Sequence, residues 1–291
     1  MNAIECLSEE MKRKNSRLVA GLAPRISELP PIYQAALKIG ISKKDILRDF
    51  CTKYINAVAE HVAAIKLDDK FFKDKDCFSI YREIALYARL SDLFVIGDLK
   101  ISGINSKLKA YAYAKALLGG KYPPFDAVTI NPYLGINGVN PFIKTAVKNG
   151  QGVFIETSNK FSCEIQDRMW FDPIDYAYEL SASWGKLFTT EEERYSPVGA
   201  IVKETHPKEA EALRKRMPNT MFLVSGGTRC SGYFDEEGLG AIVSSSRGLM
   251  YAYKRDAYKD IAENEGWERA TEVAAFDAKE EINQALKRKS K

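Results

Sequence analysis

The sequence predicts an α/β protein, a single (β/α)8 barrel over residues 1–291. Eight short apolar runs read as buried parallel strands, and amphipathic stretches recur between them. No composition break marks a linker and no internal repeat appears. Eight strand–helix units in 291 residues match the count of a (β/α)8 barrel; a doubly wound open sheet is the alternative arrangement of the same units.

In chain order, an N-terminal helix over about residues 3–14 is expected to cap the barrel bottom. The strand runs lie at 18–24, 62–67, 93–100, 126–133, 152–158, 198–204, 221–227 and 240–246. Helical patterns between them include ISKKDILRDFCTKYINAVAEHV, SIYREIALYARLS, KLKAYAYAKALLGG, VNPFIKTAVKNG and PKEAEALRKRMPN, several ending in Gly or Asn as helix C-termini do.

Composition narrows the function. Basic and acidic residues number 43 and 39, spread along the chain, for a net charge of +4; this balance gives no nucleic-acid footprint, and the terminal KRKSK is expected to be a solvated tail. Five scattered cysteines without CxxC spacing suggest neither a disulfide framework nor a zinc site. With only His61 and His206, a histidine metal centre or a Ser-His-Asp triad has few candidates, and His61 is expected to be a helix or core-edge residue. No apolar run approaches the roughly 20 residues that span a bilayer, and the N-terminus is charged where a signal peptide is apolar. A folded, cytoplasmic chain is expected.

Chemistry in such barrels sits at the C-terminal ends of the strands. That rule selects Lys66, Asp98, Lys100, Asn131, Thr157, Ser158, Asn159, Lys203, Glu204, Thr205, Thr228, Arg229 and Arg247. Two ammonium groups (Lys66, Lys100) and one carboxylate (Asp98) at neighbouring strand ends would shift one another's pKa values and favour proton transfer or carbanion stabilisation; a structural salt bridge is the alternative. Gly226 and Gly227 after the seventh strand and Arg247 after the eighth form an expected phosphate site, since glycines let backbone N–H groups approach an anion and Arg adds a bidentate charge. Thr157, Ser158 and Asn159 offer donors and acceptors to a heterocycle, or else cap a helix.

The segments AIKLDDKFF, GDLK, DAVTINPYLG, GVFIETSN, VGAIVKETHP, FLVSGG and GLGAIVSSSRG resemble the orotidine 5'-phosphate decarboxylase family, in particular its longer bacterial branch, over nearly the whole chain. The resemblance implies a (β/α)8 barrel, usually a homodimer, that converts orotidine monophosphate to UMP without metal or organic cofactor. It implies an alternating Lys-Asp-Lys-Asp array whose second Asp comes from the partner subunit. By position Lys66, Asp98 and Lys100 match the first three members, with Lys100 as proton donor. Arg247 matches the phosphate arginine, and Ser158 the pyrimidine-reading segment.

Three positions depart from that pattern: Gly103 stands where the second Asp belongs, Lys107 replaces a Thr, and Ala23 replaces the ribose-binding Asp. Cys230 falls near a usual Gln. Losing a preorganised charged group costs on the order of a hundredfold in rate, so activity is expected to be reduced or redirected unless Lys107, Glu156 or Glu204 substitutes. Alternatives are a non-catalytic nucleotide-binding homologue or partner subunit, and a Mg²⁺-dependent sugar-phosphate lyase, whose metal carboxylates this chain has thinned out.

Overall fold

A computed structural model describes residues 1–72, 75–99, 104, 106–121, 123–157, 173–204, 207–226 and 231–289. Eight parallel strands close into a barrel in the order β1 to β8: β1 Leu18–Leu22, β2 Ala64–Asp68, β3 Phe94–Asp98, β4 Ala127–Ile130, β5 Gly152–Glu156, β6 Val198–Lys203, β7 Phe222–Ser225 and β8 Ala241–Ser245. Each lies within its expected run or within one residue of it. Their near-continuous burial follows from apolar residues on both strand faces, as a helix-covered parallel sheet requires. No helix among the described residues is long and apolar enough to cross a membrane.

The chain clusters into two compact units, Glu10–Lys100 with Ser244–Gln284, and Ile101–Val243 with Met1–Glu9 and Ala285–Lys291. In the first, β1, β2 and β3 pair in register, Gly21 with Lys66 and Asp68 with Asp98. The helix Lys43–Val58 starts at Ser42, whose side chain accepts from Asp45 N, and buries Ile46, Leu47, Phe50, Tyr54 and Ile55. Phe50 stacks on Trp267 at 4.9 Å between ring centroids, and Tyr33 meets Phe50 edge-on at 5.7 Å, geometries that add to plain area burial.

In the second unit β4 to β7 pair in register, with Phe154 beside Gly199. A Cβ at Gly199 would strike the Phe154 ring, so the glycine provides the space that this aromatic fills. The N-terminal helix, Ala3–Arg13, caps the strand starts as expected: Ile4 is fully buried against Gly152, the first residue of β5, and Asn2 Nδ2 donates to Tyr195 O at 3.0 Å. Arg214, in the helix Pro207–Arg216, is buried and donates to the carbonyls of Met217, Pro218, Thr220, Tyr233 and Gly240 at 2.6–3.0 Å. Its guanidinium lies 4.3 Å from the Phe222 ring centroid.

Several sequence expectations need correction. The helix through Tyr54 ends at Val58, before the end of its expected pattern, because the chain must turn there into β2; His61 sits in that turn at the core edge, half-buried, its N donating to Val58 O at 2.9 Å. At the basic C-terminus the helix Trp267–Lys289 runs through Lys287 and Arg288, which are exposed and solvated as expected, while residues 290 and 291 lie outside the described residues. The helices Pro31–Lys38, Pro173–Phe188 and Asp256–Glu265 were not singled out by the patterns above.

Candidate active site

Strand alternation decides which side chains can meet. In β2, Ala64, Lys66 and Asp68 share one face; in β3, Phe94, Ile96 and Asp98 share the matching one. Lys66 Nζ donates to Asp98 Oδ2 as an ion pair, with only 19% and 6% of the two side chains exposed. The burial of Asp98 comes from its place on a covered strand, and its negative charge is tolerable there because an ammonium group compensates it. Asp68 ends β2 directly opposite Asp98, and its Oδ1 accepts from Lys70 N at 3.0 Å. Nearby, the buried Tyr81 phenol donates to Leu67 O at 3.1 Å. Its pKa is raised well above the ordinary value, by burial first and then by the charges of Asp69, Asp98 and Asp68.

The same unit holds the expected phosphate arginine. Arg247 is exposed and opens the four-residue helix Arg247–Met250, which follows β8 directly. A Cβ on Gly21 would collide with the Ser246 side chain, so the end of β8 approaches β1 as closely as it does only because residue 21 has none. Past β1, Ala23 N donates to Met250 Sδ at 3.4 Å and Arg25 N to Tyr251 Oη at 3.0 Å. These two bonds tie the segment after β1 to the turn after β8.

In the other unit Thr157 directly follows β5 and is buried; its hydroxyl donates to Ile201 O at 2.5 Å, which ties this end of β5 to β6. Asn131 follows β4, and its Oδ1 accepts from Tyr133 N at 2.9 Å, capping the short helix Pro132–Leu134. Gly226 has φ of +142°, a backbone conformation suited to glycine, and a Cβ there would strike the Glu204 side chain. Lys107 is exposed at the first position of the helix Lys107–Leu118, behind the capping Ser106. Lys203 ends β6, and its carbonyl accepts from the Tyr233 hydroxyl at 2.7 Å. Lys100, Gly103, Ser158, Asn159, Thr205, His206, Gly227, Thr228, Arg229 and Cys230 lie outside the described residues.

Lys66 and Asp98 are thus brought together as read from the sequence, whereas Thr157 and Asn131 each have a local hydrogen bond that fixes backbone. The sequence reading passed over Asp68, although the alternation in AIKLD carried its signal, and Gly21, whose role depends on a residue 225 positions away and leaves no local trace. Among the described residues no three His, Cys, Asp or Glu side chains come together to hold a metal ion.

Fold and site define a (β/α)8-barrel protein with a lysine–carboxylate pair at the C-terminal ends of its second and third strands. No family model matches the chain. It is 34% identical to orotidine 5'-phosphate decarboxylase of Caldicellulosiruptor bescii, over 98% of this chain and 99% of that one. It is 30% identical to that of Rhodopirellula baltica, over 95% and 97%. The chain belongs to the orotidine 5'-phosphate decarboxylase family. Its fold is also similar to Leishmania donovani OMP decarboxylase, with TM-score 0.72 and 23% identity, over 98% of this chain and 99% of that one.

Proposed function

We propose that this protein decarboxylates orotidine 5'-monophosphate, or a related 6-substituted UMP, and does so as a cytoplasmic homodimer. The observation that carries the reading is the buried Lys66–Asp98 pair, in a chain that aligns with named decarboxylases over almost its full length. In this reading Arg247 holds the phosphate and Asp98 faces the carboxylate on C6, where two like charges raise the energy of the bound substrate. The C6–carboxylate bond breaks, carbon dioxide leaves, and the electron pair stays on C6 beside lysine ammonium groups. Lys100 delivers a proton to C6, forming the C6–H bond of UMP, and regains a proton from solvent. Ser158, Asn159, Asn131, Thr157, Gly226 and Gly227 are assigned to substrate binding from their places at strand ends in the sequence. Ala23, Gly103 and Lys107 replace groups that serve the family's substrate and array, so turnover is slower than in relatives that retain them.

The test is incubation of purified protein with orotidine monophosphate, following the change in pyrimidine absorbance and the release of carbon dioxide. Slow conversion to UMP, lost in Lys100→Ala, is expected. Tight UMP binding with no turnover of orotidine monophosphate or any 6-substituted UMP would replace this reading with that of a non-catalytic nucleotide-binding homologue. Sedimentation of the purified chain as a monomer would remove the dimer.

A further inference from the structure

A cavity of about 760 Å³ opens among the helices Pro31–Lys38, Lys43–Val58, Asp256–Glu265 and the start of Trp267–Lys289, wholly within the unit Glu10–Lys100 with Ser244–Gln284. None of the strand-end residues described above lines it. Its volume is that of a small-molecule pocket, and its walls are mainly apolar, among them Ile32, Ile41 and Ile46 with the rings of Tyr33, Tyr253 and Trp267. The rings are held by contacts of their own. Trp267 stacks on Phe50 and meets Tyr33 at 6.1 Å between centroids, the Tyr33 hydroxyl donates to Asp49 at 2.8 Å, and that of Tyr253 to Glu28 O at 2.6 Å. Walls fixed in this way need little ordering when a ligand enters.

The charges around the cavity indicate what fits. Four carboxylates stand against two ammonium groups. Asp49 pairs with Lys53 at 2.9 Å, and Asp45 with Arg48, also at 2.9 Å. That leaves Glu263 and Glu268 beside Lys259, and among the described residues no hydrogen bond or ion pair reaches either carboxylate. Glu268 is half-buried, and the Tyr33 phenol is held above its ordinary pKa by burial first, then by Asp49 and then by Glu268, which sets the Glu268 charge against this wall. A half-buried carboxylate favours an incoming cation, and aromatic faces attract one too. We propose that this cavity is a second binding site, for an organic amine whose apolar or aromatic body fills the space between the rings and whose ammonium group meets Glu268. The inference is independent of the decarboxylase reading.

The experiment titrates tryptamine, tryptophol and indole-3-acetate, one ring system carried by a cation, a neutral molecule and an anion, into wild type, Glu268→Gln and Ala262→Trp by calorimetry at neutral pH. Wild type is expected to bind tryptamine about fivefold more tightly than tryptophol, the effect of one partly exposed ion pair, and indole-3-acetate more weakly than either. Glu268→Gln is expected to erase the preference for tryptamine while keeping tryptophol binding. Ala262→Trp places a large side chain in the cavity and is expected to abolish binding of all three; Ala36→Trp, from another lining helix, replaces it should that variant melt at a lower temperature. The inference is overturned if millimolar tryptamine does not bind, if its preference survives Glu268→Gln, or if binding survives both tryptophan variants. Self-association of the chain that Ala262→Trp breaks, without tryptamine binding, would likewise overturn it and give this face to a second copy.

Discussion

Lys66 donates to Asp98 diagonally across two paired strands, since the register sets Lys66 opposite Ile96 and places Asp98 two residues further on. A long flexible stem makes that reach possible, and it carries the ammonium group to the catalytic end of the barrel. With both side chains largely buried, water screens the attraction weakly, and removing one partner strands a desolvated charge. Asp98→Ala is expected to destabilise the protein by about 3 kcal/mol, measured by urea unfolding. Lys66→Ala and Asp98→Asn are each expected to reduce kcat on the order of a hundredfold or more, measured under saturating substrate.

Arg247 and Gly21 test the proposed phosphate contact. Arg247 is exposed, so Arg247→Ala should leave the melting temperature unchanged while raising KM by about a hundredfold, the effect of losing charge-assisted hydrogen bonds of about 3 kcal/mol. Gly21→Ala forces the Ser246 side chain aside and is expected to destabilise by about 1–3 kcal/mol. Because Ser246 precedes Arg247, KM should rise with it. The double variant Gly21→Ala with Ser246→Gly frees the space and should recover stability, read by calorimetry.

Arg214 joins the end of its own helix to the turns around Tyr233 and Gly240 through backbone carbonyls alone. Burial pushes its pKa down to about 10, against the charges of Tyr195 and Asp235, which raise it. Arg214→Met leaves five carbonyls, four of them buried, without this donor and is expected to cost about 3 kcal/mol or more. Arg214→Lys keeps the charge but has three donors in a compact group, so it should recover only part of the loss. Thermal melts of the three proteins check this order.

Asp235 sets an acid limb of stability. Burial pushes its carboxyl pKa up, but the Tyr195 hydroxyl, the Leu239 N–H and Arg194 together hold it below the usual 3.8. A carboxylate depressed in the folded state stabilises above the unfolded value, and that contribution disappears as pH falls through the folded one. Melting temperature should therefore drop as pH is lowered below about 4, and Asp235→Asn should flatten that drop while lowering stability near neutrality.

The strands were legible because each is a short apolar run bounded by polar or turn residues: Phe94–Asp98 needed no partner to be recognised. The pairing of Lys66 with Asp98 was legible too, since alternation and strand adjacency are properties of neighbouring segments. Helix boundaries were less so. Val58 ends its helix where the chain must enter β2, and the basic residues after Ala285 continue a helix anchored by Trp267, in neither case for a reason written locally.

By itself the sequence determined the fold class, the family and the identities of the charges at the strand ends, because apolar periodicity and motif spacing act over a few residues at a time. Only the tertiary structure decided that Asp68 stands opposite Asp98, that Gly21 must leave room for Ser246, and that the Thr157 hydroxyl donates to the Ile201 carbonyl. Each of those facts depends on strand register and close packing between segments distant in the chain, which the closed barrel sets and no local pattern encodes.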